Sequence, residues 1–213
     1  MIRVLLLVIG YICGLFQTGY IYGRLNGIDI RSKGSGNAGA TNTVRVLGKK
    51  AGIIVFFGDA LKCLIPCLIV KTMFKESDPD AAMVYMLYMA IGVVLGHNYP
   101  FYLGFKGGKG ISSTAGLMAA LDIRIAAVCL ICFAVIVKTT KYVSVGSLVI
   151  TTVTMIMGIV FSHTGLIYVG EAYMIEYAVL LVLITIQAFV RHRANIVRLM
   201  NGTENKMGVK KAQ

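Results

Sequence analysis

The chain has 213 residues, of which 57% are hydrophobic and 14% are charged, and its mean hydropathy is +0.79. A soluble domain is usually about 45–50% apolar, so a water-exposed fold of this composition would leave large apolar patches on its surface. The composition therefore excludes an ordinary soluble protein and favours a membrane protein. The formal net charge of +12 does not indicate a nucleic-acid partner, because the basic residues are divided among loops between apolar stretches.

Seven apolar stretches follow one another and predict an all-α, polytopic membrane protein forming a single domain over residues 1–213, with a polar tail from about 205. They cover residues 4–22, 51–70, 81–95, 111–121, 125–137, 143–161 and 175–190. A helix needs about 20 residues to cross a bilayer, so the fourth and fifth stretches are short. They are either two short spans or one re-entrant hairpin broken at residues 122–124, and both alternatives return the chain to the same side.

The distribution of basic residues predicts the orientation. Sixteen of the 21 Lys and Arg residues, including Lys210 and Lys211 of the tail, fall on one face, four fall on the other, and Lys62 lies inside the second stretch. Cytoplasmic loops carry the excess of Lys and Arg. We therefore expect the N-terminus outside the cell and the C-terminus in the cytoplasm.

The first cytoplasmic loop has the composition of an anion-binding turn. Its glycines allow close backbone approach, its side chains supply hydroxyl and amide groups, and Arg45 adds a charge suited to phosphate. The candidate ligand-binding residues are Ser35, Gly36, Asn37, Asn42 and Arg45. The alternative is a flexible polar loop.

The second cytoplasmic loop carries a Lys-Gly-Gly-Lys-Gly run just before a stretch of small residues. Backbone N–H groups, a helix N-terminus and two lysines would together form a phosphate cradle. The run consists of Lys106, Gly107, Gly108, Lys109 and Gly110. The alternative is a basic loop that touches lipid headgroups. His97, at the membrane boundary before this run, is predicted to be structural.

The third basic segment follows the last stretch. If that helix continues, His192 and Asn195 are three residues apart and share a face. A basic cluster that only stops the chain in the membrane is the alternative.

Ser144, after the fifth stretch, could donate to an anion or cap the next helix. Asp59 and Lys62, inside the second stretch, are expected to form a structural ion pair, because intramembrane charges are costly unless paired.

No metal site or cofactor is expected. The five cysteines lie within apolar runs, where they are interpreted as small buried thiols, and the Cys129–Cys132 spacing has neither a second pair nor a polar setting.

Together these segments resemble the bacterial acyl-phosphate:glycerol-3-phosphate acyltransferase family, known as PlsY. Residues 35–42, 96–110 and 191–204 are similar to its three motifs, in the same order. The resemblance implies a seven-helix enzyme of the bacterial cell membrane whose active site faces the cytoplasm. It implies transfer of a fatty acyl group from acyl phosphate to the sn-1 hydroxyl of glycerol 3-phosphate, giving lysophosphatidic acid and phosphate. The expected partners are these two substrates and the lipid bilayer; the oligomeric state is left open.

Residue roles follow as hypotheses, and the resemblance itself implies those of the first motif. Ser35 and Arg45 would hold and polarise the reacting phosphate region, and the Lys-Gly-Gly-Lys-Gly run would bind glycerol 3-phosphate. His192 and Asn195 would orient the acceptor hydroxyl. His192 and a substrate phosphate oxygen are both candidates for taking its proton. Glu204 is expected to tie the third segment to a basic loop. Two rival hypotheses are a transporter of phosphorylated metabolites and a non-catalytic membrane adaptor.

Overall fold

The computed structural model describes residues 1–208, so the positions of Lys210 and Lys211 lie outside the described residues. Within residues 1–208 there are α-helices and three short 3₁₀ turns, and no β-strand. This confirms the all-α prediction. The helices are α1 (Ile2–Gly14), α2 (Thr18–Leu25), α3 (Ala40–Leu47), α4 (Lys49–Ser77), α5 (Ala82–Asn98), α6 (Ile111–Leu121), α7 (Ile123–Thr140), α8 (Val143–His163), α9 (Met174–Arg191) and α10 (Arg193–Met200).

Six helical stretches in the described part of the chain are long and apolar enough to cross a membrane. They are Ile2–Leu25, Lys49–Ser77, Ala82–Leu103, Ile123–Thr140, Val143–His163 and Glu171–Arg191. The stretch 111–121 forms α6 with the expected bounds, and at 11 residues it is shorter than these six. The prediction that stretch 125–137 is short was wrong. Asp122 accepts a hydrogen bond from the backbone N–H of Arg124 (2.8 Å), so α7 starts at once and continues for 18 residues.

Helix α5 lies at the centre of the bundle, with 15 of its 17 residues buried. It crosses α1 at glycines: Gly10 and Gly14 of α1 face Gly92 and Gly96 of α5. A Cβ atom on Gly92 would lie 2.2 Å from the Leu7 carbonyl oxygen. Small residues four apart on both helices permit this close backbone contact, which is a common way for helices to pack in membranes.

The outer surface of the bundle is apolar where a membrane would surround it. Helices α1, α4, α7 and α9 each carry large exposed aliphatic side chains, among them Val4, Ile53, Leu130 and Ile186. A polytopic membrane fold accounts for this surface, because lipid tails replace water around it.

The short helix α6 packs along α4. A Cβ atom on Gly116 would lie 2.1 Å from the Ala60 carbonyl oxygen, and Lys71 donates to the carbonyls of Ala120 and Leu121 (2.9 and 3.2 Å). The first turn of α6 begins beside the last turn of α5, and its last turn lies beside the end of α4. Helix α6 therefore leads the chain from the second loop along α4 to the start of α7.

Three loop regions meet at the end of the bundle where α5 stops. Arg31 of the first loop donates to the Leu103 carbonyl (3.5 Å), and Arg191 at the end of α9 donates to the Gly108 carbonyl (2.7 Å). The three segments that the sequence singled out are thus neighbours in space.

Candidate active site

The first loop is organised by Asn42, which is 2% exposed at the start of α3. Its Oδ1 accepts from the backbone N–H and the hydroxyl of Ser35 (2.7 and 3.1 Å), and its Nδ2 donates to the carbonyls of Ile30 and Lys33 (3.0 Å each). Gly34 adopts φ +61°, and a Cβ atom there would lie 2.3 Å from Asn42 Oδ1. Asn42 therefore shapes the loop that presents Ser35, and its amide is already engaged inside that loop.

The second loop folds back onto the end of α5. The N–H groups of Gly107 and Gly108 donate to the carbonyls of Asn98 and His97 (3.2 and 3.1 Å). The turn at Pro100 returns the loop to α5 and uses these two N–H groups there, so they are not available to an anion; the anion-binding role of the run as a whole stays a prediction. Within residues 1–208 the N–H groups of Lys109 and Gly110 have no such partner. They adjoin the α6 N-terminus, whose first N–H groups are also free of helical bonds.

Arg191 holds the other side of this loop. Its Nε donates to the Gly108 carbonyl (3.1 Å), its Nη2 donates to the carbonyls of Gly107 and Gly108 (3.1 and 2.7 Å), and its guanidinium stacks on the Tyr99 ring at 4.8 Å. These partners are neutral, so Arg191 keeps its full positive charge. The sequence placed Arg191 in the third motif but assigned it no site role.

His192 occupies the turn between α9 and α10 and is 2% exposed. Its Nδ1 lies 2.8 Å from the Ala188 carbonyl oxygen. A carbonyl only accepts, so Nδ1 carries the proton and Nε2 keeps its lone pair. Burial, reinforced by the charge of Lys109, lowers the pKa of His192 to about 4. His192 is therefore a neutral hydrogen-bond acceptor at neutral pH.

Asn195 joins the second and third segments. Its Oδ1 accepts a hydrogen bond from the Lys109 ammonium, and its Nδ2 donates to Glu204 Oε1 (2.7 Å). Glu204 also accepts from Ser144 Oγ (3.2 Å) and from Arg198 Nε (2.7 Å). The contacts of Glu204 are thus with its own segment and with the start of α8. The sequence left open whether Ser144 donates to an anion or caps the next helix. In the structure Ser144 is 5% exposed and donates to the Glu204 carboxylate.

Positive charge converges on Lys109. Burial lowers the pKa of Lys109 to about 8; Glu204 opposes the shift, and the charges of Arg198, Arg191 and Arg45 add to it. Arg45 comes from the first segment and Arg191 and Arg198 from the third, so charges from both of these segments act on this lysine of the second segment. Such a cluster favours a bound anion, which would raise the pKa of Lys109 back toward its usual value.

Two clefts open between the segments. One, of about 700 Å³, is lined by Asp29, Arg31, Ser32, Gly36, Asn37, Leu103, Phe105, Lys106, Gly107 and Arg191. The other, of about 260 Å³, is lined by Asn37, Tyr99, Lys109, Val190, Arg191, Arg193 and Ala194. Asn37 and Arg191 border both clefts. Ser35 and Arg45 are exposed on the first segment and are not among the residues that line either cleft.

Sequence reasoning missed Asp29, Arg31 and Tyr99 as neighbours of the clefts. Asp29 Oδ2 accepts from Arg31 Nη2 (2.8 Å), and this bond lowers the pKa of Asp29 to about 2. The Asp-x-Arg spacing was the available signal for a local ion pair. The contact between Arg191 and Tyr99 joins residues 92 positions apart, and no pattern in the sequence predicts it.

Asp59, Lys62 and His97 meet below the second loop. Lys62 Nζ lies 2.9 Å from Asp59 Oδ1 and 2.8 Å from His97 Nδ1, and all three side chains are buried. The expected contact between Asp59 and Lys62 is present. Their structural role and that of His97 stay predictions.

Known proteins resemble this chain over nearly its whole length. Residues 4–202 match the family model described as glycerol-3-phosphate acyltransferase. The chain is 42% identical to the glycerol-3-phosphate acyltransferase of Clostridioides difficile over 98% of this chain and 97% of that protein. It is 40% identical to the protein of the same name from Halalkalibacterium halodurans, over 97% and 96%.

Solved structures give the same result. The glycerol 3-phosphate form of PlsY, an integral membrane glycerol 3-phosphate acyltransferase, matches with a TM-score of 0.82 and 32% identity, over 97% of this chain and 96% of that one. Its lysophosphatidic acid form matches with a TM-score of 0.79 over 97% and 95%. The likeness covers nearly the whole of each chain and includes all three segments of the candidate site. The chain therefore belongs to the glycerol-3-phosphate acyltransferase family.

Proposed function

We propose that the protein transfers a fatty acyl group from acyl phosphate to the sn-1 hydroxyl of glycerol 3-phosphate, releasing lysophosphatidic acid and phosphate in phospholipid synthesis. The carrying observation is the cluster around Lys109, where Asn195 and His192 meet the charges of Arg45, Arg191 and Arg198 at one end of an apolar bundle. Both substrates carry a phosphate, and the acyl chain requires lipid beside the site. A cationic cluster at the end of a membrane bundle satisfies both needs.

Phosphate binding falls to the basic groups and the free N–H groups. Lys109 lines the second cleft, and Lys106 and Gly107 border the first cleft with Gly36 and Asn37. Arg45 and Ser35, which are exposed on the first segment, would hold and polarise the reacting phosphate region. Arg191 supplies charge to both clefts while it fixes the loop.

The chemical step balances with these groups. The sn-1 hydroxyl oxygen attacks the carbonyl carbon of the acyl phosphate, the bond from that carbon to the phosphate oxygen breaks, and phosphate leaves. His192 Nε2, which has a free lone pair, and Asn195 orient the hydroxyl. A histidine pKa of about 4 gives a weak base at neutral pH. A phosphate oxygen, with a second pKa of about 6, takes the proton more readily. Acyl phosphate is an activated donor, so weak basic assistance suffices.

We also propose seven crossings, with the N-terminus outside and the site in the cytoplasm of a bacterial cell. The positive-inside bias supports the orientation. The contacts of α6 with the ends of α5 and α4 support a seventh crossing, which starts beside the last turn of α5. Labelling with a membrane-impermeant thiol reagent tests this proposal. In intact cells, Ser77→Cys should react and Lys50→Cys should not; the reverse pattern would overturn the orientation.

Purified protein tests the activity directly. With acyl phosphate and labelled glycerol 3-phosphate, we expect lysophosphatidic acid and phosphate in equal amounts, and no product when acyl-CoA replaces acyl phosphate. Folded protein that makes no lysophosphatidic acid would refute the enzyme proposal. Equal turnover with acyl-CoA would refute the donor. In liposomes, uptake of glycerol 3-phosphate without any acyl donor would favour the transporter hypothesis.

Matched variants separate chemistry from general charge. Arg45→Ala removes a charge that acts on Lys109, whereas Lys50→Ala removes an exposed charge five residues away on α4. We expect a large loss of turnover for the first and near wild-type activity for the second. Equal effects would mean that only bulk positive charge matters.

A further inference from the structure

A buried polar cluster lies between the membrane bundle and the second loop. Asp59 is 0% exposed and His97 is 2% exposed. The Lys62 ammonium reaches three acceptors: the Phe16 carbonyl oxygen at 2.6 Å, Asp59 Oδ1 at 2.9 Å and His97 Nδ1 at 2.8 Å. Nothing in the proposed reaction uses these groups directly, although ionised groups in this position are costly.

The geometry fixes the tautomer of His97. An ammonium has three hydrogens and only donates, so His97 Nδ1 must accept, and the ring proton lies on Nε2. That edge of the ring faces the second loop: a Cβ atom on Gly108 would lie 2.0 Å from His97 Nε2. The backbone carbonyl of His97 also accepts from the Gly108 N–H (3.1 Å) and from Gln17 Nε2 (3.0 Å). His97 therefore contacts Gly108 through both its ring and its backbone.

The cluster also contacts the start of α2, the helix that precedes the first loop. Thr18, which begins α2, donates its hydroxyl to Asp59 Oδ1 (3.0 Å), and the Phe16 carbonyl bound by Lys62 lies in the break between α1 and α2. Helix α2 leads into the first loop. The same ion pair thus holds the start of α2 and, through His97, contacts the second loop.

We propose that Lys62 and His97 are positioning residues for the glycerol 3-phosphate site: Lys62 fixes the ring of His97, and His97 fixes Gly108. Arg191 donates to the carbonyls of Gly107 and Gly108 from the cytoplasmic side. The loop therefore lies between the Arg191 guanidinium and the His97 imidazole. These contacts on both sides of the loop fix the direction of Lys109 and of the free N–H groups at the start of α6. The inference rests on the proposed function, since it assigns these residues to substrate binding in that reaction.

A purely structural cluster makes a different prediction. Loss of a buried ion pair that only holds helices together lowers stability, and the folded fraction binds substrate as before. Loss of a positioning pair raises KM for glycerol 3-phosphate more than it lowers kcat. Lys71 provides the matched control, because it lies on the same helix and also donates to two backbone carbonyls, at the opposite end of α4 from the loops.

The first experiment compares Lys62→Met with Lys71→Met in purified protein. Both should lower the thermal midpoint, but only Lys62→Met should raise KM for glycerol 3-phosphate, by about tenfold, the scale of coupling between contacting groups. His97→Asn, whose amide oxygen can still accept from Lys62, should raise KM as well, because it no longer reaches Gly108. An unchanged KM in both Lys62→Met and His97→Asn would overturn the proposal.

A double-mutant cycle decides the matter if Lys62→Met does not fold. Gly108→Ala should raise KM strongly in the wild-type background, since the added Cβ atom meets the His97 ring. In a His97→Ala background the ring is gone, and Gly108→Ala should cost at least about fivefold less. An equal cost in both backgrounds would show that His97 does not position Gly108. Equilibrium binding of labelled glycerol 3-phosphate, measured alongside, separates the two failures. If wild-type protein binds glycerol 3-phosphate but does not turn it over, the proposed reaction is refuted. If the protein is active but His97 and Gly108 show no coupling, only this inference is refuted.

Discussion

Replacing Asn42 by alanine is expected to disorganise the first loop while leaving the helix bundle folded. The amide makes four hydrogen bonds, two to Ser35 and one each to the carbonyls of Ile30 and Lys33. A net hydrogen bond stabilises by about 0.5–1.5 kcal/mol, which gives about 2–6 kcal/mol for four. Ser35 and Lys33 are exposed, so water replaces part of this, and we expect a loss of about 2 kcal/mol in loop organisation. If Ser35 must be held for reaction, kcat/KM should fall by about 30-fold.

The assay is steady-state acyl transfer with thermal unfolding measured on the same samples. Asn26→Ala is the control: this exposed asparagine precedes the same loop and donates one hydrogen bond to the Tyr22 carbonyl (2.8 Å), so its loss should change kcat/KM by less than about threefold. A wild-type kcat/KM for Asn42→Ala would refute the argument, because it would mean that the loop keeps Ser35 in place without the amide. A large fall in the thermal midpoint would refute the expectation that Asn42→Ala disorganises the loop without destabilising the helix bundle.

Three further predictions address the rest of the site and the bundle. Arg191→Lys should raise KM for both substrates by about tenfold in the same kinetic assay, because a lysine cannot reproduce the forked contact with two carbonyls and the stacking on a ring. The pKa of Lys109 lies below its usual value, so the free enzyme should lose this charge as the pH rises through about 8; KM for glycerol 3-phosphate should rise there, and Lys109→Arg should remove that limb of the pH profile. Gly92→Leu should abolish folding or lower the thermal midpoint sharply, since its Cβ atom would lie 2.2 Å from a carbonyl oxygen of α1, whereas Val8→Leu on the exposed side of α1 should have little effect.

Hydropathy predicted where the apolar helices lie but not where they end. Helix α4 continues past residue 70 to Ser77, and α5 continues past residue 95 to Asn98. Polar residues can extend a helix beyond the apolar stretch, because the backbone bonds continue in the interface as well as in lipid. The break between α1 and α2 was also missed. Gln17 makes it possible by donating to the carbonyls of Gly14, Gly96 and His97, a set of contacts that only the packed α5 supplies.

The site was predicted as three separate segments, and their composition was informative because glycine, asparagine and arginine have few roles so close together. The sequence did not reveal the direction of each hydrogen bond. In the sequence, Gly107 and Gly108 look like N–H donors for an anion. In the structure their N–H groups bond to carbonyls of α5, and glycine is needed at these positions because the loop lies against His97. Composition reports which groups are present, whereas tertiary packing decides which of them remain available.

The charge balance of the site follows from which cations have carboxylate partners. Arg31 pairs with Asp29 and Arg198 pairs with Glu204, so these two contribute little net charge. Arg191 and Lys109 instead bond to carbonyl and amide oxygens, and Lys106 and Arg45 are exposed. These four cations, and the exposed Arg193 that lines the second cleft, have no ion pair with a carboxylate in the described part of the chain. A phosphate monoester carries about −1.5 to −2 at neutral pH, so two such substrates bring a charge of about −3 to −4. The site therefore has positive charge for two phosphates, which is what transfer from acyl phosphate to glycerol 3-phosphate requires and what binding one phosphorylated metabolite does not.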